Sequence, residues 1–203
     1  MKLYNSIGPN PRLIRLFAAE KGAPLSRVEV DIVAGENRQP AYLAINPTGT
    51  TPVIELDDGS RIAETTAICE YLEELFSSPA LIGANEKARA HTRMWWRRAD
   101  QIIVQPLTAG FRGAEGFELF KNRVPCYPDA AEDFKRAAQE GWRWFEAHGE
   151  HDQFICGSRC TVVDLLLLCF AEFGEQVGQP IPEDCERLGG WLAMMRERYA
   201  GIE

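Results

Sequence analysis

Long apolar runs, histidines and basic residues are all scarce in this chain, and each shortage removes a class of function. No apolar stretch approaches the roughly eighteen residues that a membrane-crossing helix needs, so no membrane span is expected. The three histidines, His91, His148 and His151, form neither a triad nor a metal spacing and read as surface residues. Lys and Arg number 22 against 30 Asp and Glu, a net charge of -8. No nucleic-acid partner is expected, because binding phosphate needs a concentrated basic face. The acidic excess serves solubility. It does not forbid an anionic ligand, which needs only a local cationic pocket. The opening MKLYNSIG reads as a strand and lacks the apolar core of a signal peptide, so a cytoplasmic location is expected.

Cysteine is equally thin. Cys69, Cys126, Cys156, Cys160, Cys169 and Cys185 do not make the framework of a small secreted domain, and most sit inside apolar helical patterns. They read as reduced thiols, mostly buried. Cys156 and Cys160 form a C-x3-C with no second pair at zinc spacing, and a metal site needs about four ligands. No metal is expected. The first helix loop carries no C-x-x-C, which argues against a dithiol redox mechanism. No repeat or low-complexity tract is present.

What the chain does have is 203 residues with 45% apolar content, enough for a core and two domains. Residues 2 to 5 read as a strand. Pro9, Asn10 and Pro11 lead into a helix that starts at Pro11 or Arg12, carries apolar Leu13, Ile14, Leu16 and Phe17, and ends at Gly22. Val28, Val30 and Ile32 alternate at the strand period. Val53 to Leu56 and Arg61-Ile62 flank a turn at Asp57-Asp58-Gly59. Ile68, Tyr71, Leu72, Leu75 and Phe76 share a helix face. The order β-α-β, then β-β-α, predicts a thioredoxin-like α/β domain over residues 1–78. Residues 79–85 read as a linker after the break at Ser77-Ser78-Pro79. Residues 86–203 read as an all-helical domain, with helices near 86–111, 129–148, 161–177 and 184–199. Gly110 to Gly116 and Val124 to Pro128 read as loops. Trp95, Trp96, Trp142 and Trp144 read as core, Asp100 as one half of a surface ion pair, and Thr161-x-x-Asp164 as a capping box that serves folding.

The most informative stretch is NPTGTTPVIELDDGSRIAETTAICEYLEEL, residues 46 to 75. Proline entering a strand needs an edge or a special geometry, and X-Pro is the common place for a cis bond. A cis Thr51-Pro52 would turn the Thr51 amide and carbonyl outward, free to bind another backbone. Thirteen residues on, the free amides of a helix N-terminus at Glu64-Thr65 suit a carboxylate. Together the two features fit a short charged peptide.

This segment, with MKLYNSIGPNPRLIRLFAAEKG before it and ICGSRCTVVDLLL after it, resembles the soluble glutathione transferases. GPNPR and AGENR are similar to a bacterial and fungal subgroup that includes the second yeast-type and nu-class members. The resemblance implies a thioredoxin-like domain followed by a helical one, glutathione as co-substrate, a homodimer, and a small hydrophobic electrophile held between residues 6 to 10 and the helix near 86–111. Glu64 and Thr65 match the pair that holds the γ-glutamyl end. Thr51 would pair with the cysteinyl backbone, with Pro52 fixing the geometry. Asn37 and Arg38 are candidates for the glycine carboxylate, and Thr50 replaces the Lys or Gln common in relatives.

The catalytic assignment is open between two residues. Asn10 occupies the position where nu-class members carry asparagine, and its amide would donate to the glutathione thiolate; the competing role is a helix cap. Ser6 is the second candidate, and Tyr4 falls too early for the tyrosine-type role. FRGAEGF has glycine where a histidine of some second yeast-type members is expected. The implied activity is glutathione conjugation in detoxification. The alternatives are a nu-class-type disulfide reductase or peroxidase, and a non-catalytic binding or assembly protein of the same fold.

Overall fold

The computed structural model describes residues 1–150 and 152–202; the surface reading of His151 lies outside the described residues. The chain forms two compact units, Met1–Ala84 together with the chain end from Gly201, and Asn85–Ala200.

Unit 1 is an α/β layer structure of thioredoxin type. Its strands β1 (Lys2–Asn5), β2 (Ser26–Glu29), β3 (Val53–Glu55) and β4 (Arg61–Ala63) lie in the order β2-β1-β3-β4. β1 pairs parallel with β2, and β3 pairs antiparallel with both β1 and β4. Helices α1 (Pro9–Lys21), α2 (Pro40–Leu43) and α3 (Thr65–Leu75) complete the unit. Leu13, Ile14, Leu16 and Phe17 of α1, Ile68 and Leu72 of α3, and Leu3, Val53 and Ile54 of the sheet are buried together in its core. Each such side chain contributes about 1.5–3 kcal/mol on burial.

The segment that leaves α3 is tied down from beneath. Lys21 contacts both the Glu73 carboxylate and the Pro79 carbonyl, and its side chain is fully buried. Glu73 in turn accepts from the amides of Leu81 (3.2 Å), Ile82 (2.8 Å) and Gly83 (3.3 Å).

Unit 2 is helical: α4 (Glu86–Ala99), a π-turn segment (Asp100–Val104), α5 (Gln105–Gly113), α6 (Phe117–Phe120), α7 (Ala131–His148), α8 (Val162–Gln176) and α9 (Glu186–Arg198). Val162 to Ala171 of α8 are all buried, as a helix apolar on every side requires. Asp164 holds its start. Its Oδ2 accepts from the Thr161 amide (2.8 Å) and hydroxyl (2.9 Å), and its Oδ1 from the Ile155 amide (2.9 Å) and Trp191 Nε1 (3.1 Å). Trp95, Trp96 and Trp142 are buried. Asp100 pairs with Arg97 at 3.0 Å.

Several expectations need correction. The first helix begins at Pro9 behind Gly8, so Asn10 lies inside its first turn and is not its cap. β2 stops at Glu29 and is an edge strand; Val28 is exposed, and only Val30 beyond it reaches the core. Leu75 is likewise 52% exposed at the end of α3. Gly110 to Gly113 are helical. These glycines serve packing: a Cβ on Gly113 would stand 2.8 Å from the Tyr127 carbonyl, and one on Gly110 2.8 Å from Lys135 Cγ. Helices α2 and α6, four residues each, gave too little periodicity to be anticipated.

Candidate functional site

Strand register decides where the predicted residues meet. β1 and β2 end, β3 begins and β4 ends at one edge of the sheet. Tyr4 pairs with Val53 across β1 and β3, so the next steps bring Ser6 beside Thr51. Val53 pairs with Ala63 across β3 and β4, so the same extension brings Pro52 beside Glu64. Three segments remote in sequence therefore converge: Ser6 to Asn10, Thr51-Pro52, and Glu64-Thr65.

Ser6 and Thr51 touch directly, with Oγ and Oγ1 2.5 Å apart. Ser6 Oγ also donates to the Ile7 carbonyl at 3.1 Å, which leaves its lone pairs to accept from Thr51. Ser6 is 3% exposed. Asn10 is exposed, and among the described residues its side chain has no hydrogen-bond partner. Tyr4 takes no part; its hydroxyl donates to Glu55 at 3.1 Å, and burial first, Glu55 second, push its pKa up.

Thr51-Pro52 is cis. Its approach loop is braced from below. The Tyr42 hydroxyl (2.8 Å) and Asn46 Nδ2 (2.9 Å) donate to the Thr50 carbonyl, and the Thr50 hydroxyl meets Thr48 Oγ1 at 2.7 Å. Burial raises the Tyr42 pKa to about 12. Asn37 is 7% exposed and its Nδ2 donates to the Gly49 carbonyl at 2.6 Å, while Arg38 Nη1 donates to the Thr48 carbonyl at 3.3 Å. Gly49 has φ +64, and a Cβ there would stand 2.9 Å from both Arg38 Nη1 and the Asn37 carbonyl. Asn37, Arg38 and Thr50 are thus gathered on the loop that delivers Thr51, with Asn37 spent on bracing it.

Glu64 is exposed, stands at the start of α3 and has φ 70, the one positive value outside glycine among the described residues. That conformation costs about 1–3 kcal/mol in a non-glycine residue. The first amides of α3 have no intrahelical acceptor, since the first helical bond runs from the Ile68 amide to the Glu64 carbonyl. Carboxylate recognition at this N-terminus follows from the free amides and the helix dipole.

A further cluster escaped the sequence reading. Asn5, at the end of β1, places Nδ2 2.8 Å from both oxygens of Glu29, at the end of β2. Arg15 of α1 donates through Nη1 to Asn5 Oδ1 (2.7 Å) and to the Ser6 carbonyl (3.4 Å). Nothing in the spacing of these three residues announces the cluster; only the β1–β2 register, which pairs Asn5 with Glu29, assembles it. Among the described residues no three His, Cys, Asp or Glu converge to hold a metal ion, and no helix is long and apolar enough to cross a membrane.

Known proteins carry the same architecture. A family model described as the glutathione S-transferase N-terminal domain matches residues 7–75. Glutathione S-transferase 2 of Saccharomyces cerevisiae is 30% identical over 206 residues, covering 98% of this chain and 86% of the yeast protein. The crystal structure of a glutathione S-transferase domain-containing protein from Marinobacter aquaeolei superposes with a TM-score of 0.89 at 36% identity, covering 98% of each chain. A shorter likeness, 38% identity over 96 residues and 46% of this chain, links it to maleylacetoacetate isomerase of Pseudomonas aeruginosa.

Proposed function

The chain belongs to the glutathione S-transferase family of enzymes, and from that premise we propose that it joins the sulfur of glutathione to a small hydrophobic electrophile. Glu64 takes the γ-glutamyl ammonium, and the Thr65 hydroxyl and amide take its α-carboxylate. The Thr51 backbone pairs with the cysteinyl backbone beside Pro52. Arg38 faces the glycine carboxylate, with Asn37 and Thr50 shaping the loop beneath it.

The observation that carries this reading is Glu64. A glutamate held at φ 70, exposed, on a free helix N-terminus and next to Thr51-Pro52, has no role in the core. Strain of this kind persists where surrounding structure enforces it, and it clusters at ligand sites.

The chemistry follows from the thiol. Free thiols ionise near pKa 8.5, and the thiolate is the nucleophile. Lowering that pKa by about two requires about 2.7 kcal/mol of selective thiolate stabilisation. Asn10 offers its side-chain amide and the one N–H left free in the first turn of α1, since Pro9 and Pro11 have none and the Arg12 amide is bonded to the Gly8 carbonyl. The Ser6 hydroxyl, the second candidate, donates to the thiolate only by releasing the Ile7 carbonyl. The thiol proton passes to water. The thiolate then attacks the electrophilic carbon, a C–S bond forms, and the leaving group departs with its electron pair. We also propose a cytoplasmic homodimer acting in detoxification, which sedimentation and cell fractionation test.

The deciding experiment follows thiolate ultraviolet absorbance of bound glutathione against pH. Saturable binding with a thiol pKa well below that of free glutathione supports the proposal; no binding refutes it. Glu64→Ala with unchanged glutathione affinity would refute the grip. Asn10, at the position where nu-class members carry asparagine, motivates a second reading, glutathione-dependent reduction of disulfides or peroxides. There the thiolate attacks a disulfide sulfur and the other sulfur leaves as a thiolate, or it attacks a peroxide oxygen, releasing the alcohol and leaving a sulfenic acid. A second glutathione thiol then displaces the remaining substrate sulfur or water, and glutathione disulfide is the oxidised product. Turnover on a mixed disulfide exceeding turnover on a haloarene would select it. The likeness to maleylacetoacetate isomerase adds an isomerase assay to the same screen.

A further inference from the structure

The Asn5–Arg15–Glu29 cluster does nothing in the chemistry above, yet it ends on the loop that carries Ser6. Asn5 is 5% exposed, and its side-chain amide is fully committed: Nδ2 to Glu29, Oδ1 to Arg15. The Glu29 carboxylate accepts only, so it fixes which way the Asn5 amide faces and turns Oδ1 toward Arg15. Arg15 Nη1, so placed, also reaches the Ser6 carbonyl at 3.4 Å.

That contact fixes more than one carbonyl. A peptide unit is planar and trans, so its C=O and the following N–H point in opposite directions. Holding the Ser6 carbonyl toward Arg15 aims the Ile7 amide away from it, into a loop where Ile7 is 66% exposed. A guanidinium on the carbonyl also polarises the peptide and strengthens its N–H as a donor. We propose that Arg15, oriented by Asn5 and Glu29, is a positioning residue: it locks the Ser6–Ile7 peptide so that the Ile7 amide faces the glutathione sulfur and holds it as thiolate. This rests on the glutathione-transferase reading.

Glutathione affinity and thiol ionisation separate in this scheme. Affinity comes from Glu64, Thr65 and Thr51; Arg15 acts on the sulfur alone. Arg15→Lys keeps the cation but loses the planar fork, and Asn5→Ala removes the steering. Each variant is expected to raise the bound-thiol pKa by about one, leaving about tenfold less thiolate below that pKa. Below that pKa, kcat falls about tenfold while KM for glutathione stays within about twofold. The rate recovers as pH is raised. Glu29→Gln keeps an acceptor for Asn5 Nδ2 and is expected to lie between the two and the unsubstituted enzyme.

A merely structural cluster would give a rate loss that pH does not restore, or an unshifted thiol pKa at unchanged affinity; either result overturns the proposal. Circular dichroism checks folding, and Arg15→Lys carries the test alone if Asn5→Ala does not fold. Absence of glutathione binding by the unsubstituted protein would instead sink the reading beneath the proposal, and the proposal with it.

Discussion

Lys21 and Glu73 form a buried ion pair whose two halves should differ in what their loss costs. Lys21 has a fully buried side chain, and Glu73 is 9% exposed. Their partners are unequal. Lys21 meets the Glu73 carboxylate and the Pro79 carbonyl, whereas Glu73 also accepts from the amides of Leu81, Ile82 and Gly83. Lys21→Met also leaves a buried charge, but that carboxylate keeps three backbone donors, so its cost is expected to be the smaller of the two. Glu73→Gln keeps one accepting oxygen, turns an NH2 toward the ammonium and the Leu81 amide, and strands a buried charge. Breaking such a pair costs about 3–5 kcal/mol, a large share of a typical stability of about 5–15 kcal/mol. At about 2–4 °C per kcal/mol for a chain of this size, the midpoint falls by roughly 6–20 °C. All five tryptophans lie in unit 2, so fluorescence does not report on this pair. The assay is urea unfolding followed by hydrogen exchange in unit 1, reading the Leu81 and Ile82 amides directly. Faster exchange at Leu81 than at Ile82 is expected in Glu73→Gln, because the retained oxygen still accepts from Ile82, and neither amide should change as much in Lys21→Met. A Lys21→Met loss as large as that of Glu73→Gln would refute the reasoning, because it would mean that the amide contacts contribute nothing.

Three further outcomes are expected. Hydrogen bonds from Lys2, Arg61 and Tyr4 lower the Glu55 pKa from 4.5 to about 2; a depressed folded-state value gives stability that is present above pH 4.5 and lost as pH falls toward 2. Glu55→Gln should therefore destabilise at neutral pH and match the unsubstituted protein near pH 2, and a gap that persists on acidification would count against it. Asp164→Ala strips four donors of their buried acceptor, and urea unfolding should show a loss of about 3–5 kcal/mol; a loss under about 1 kcal/mol would mean that water replaces the carboxylate. Asn10→Ala should raise the bound-thiol pKa without changing glutathione affinity, and unchanged turnover would leave Ser6 and the loop amides as the only donors.

Much of this was readable in the residues because it rests on local rules. The turn at Asp57-Asp58-Gly59 marked the hairpin strands, apolar spacing marked α1, α3 and the long helices, and Thr161-x-x-Asp164 marked the start of α8. Thr51-Pro52 and Glu64-Thr65 stood out because proline and a helix N-terminus each restrict what the backbone does nearby. The errors were of two kinds. Gly110 to Gly113, the first part of a segment that looked like a loop, are helical, and only Ala114 to Gly116 turn, because composition does not distinguish a glycine that bends the chain from one that admits a neighbouring helix. Val28 and Leu75 looked buried, because a period gives the face of an element and not whether that element has a neighbour.

What the sequence by itself determined is the family of folds, the order of the elements and the short list of residues able to grip a charged peptide, since these depend on propensity, period and backbone chemistry within a few positions. Tertiary structure decided the rest. It set Ser6 against Thr51 at 2.5 Å, turned Glu64 to φ 70, spent Asn37 on the Gly49 carbonyl, and joined Asn5, Arg15 and Glu29 into one network. Those contacts depend on strand register, and register is fixed by which residues the whole unit buries rather than by any residue's neighbours in the chain.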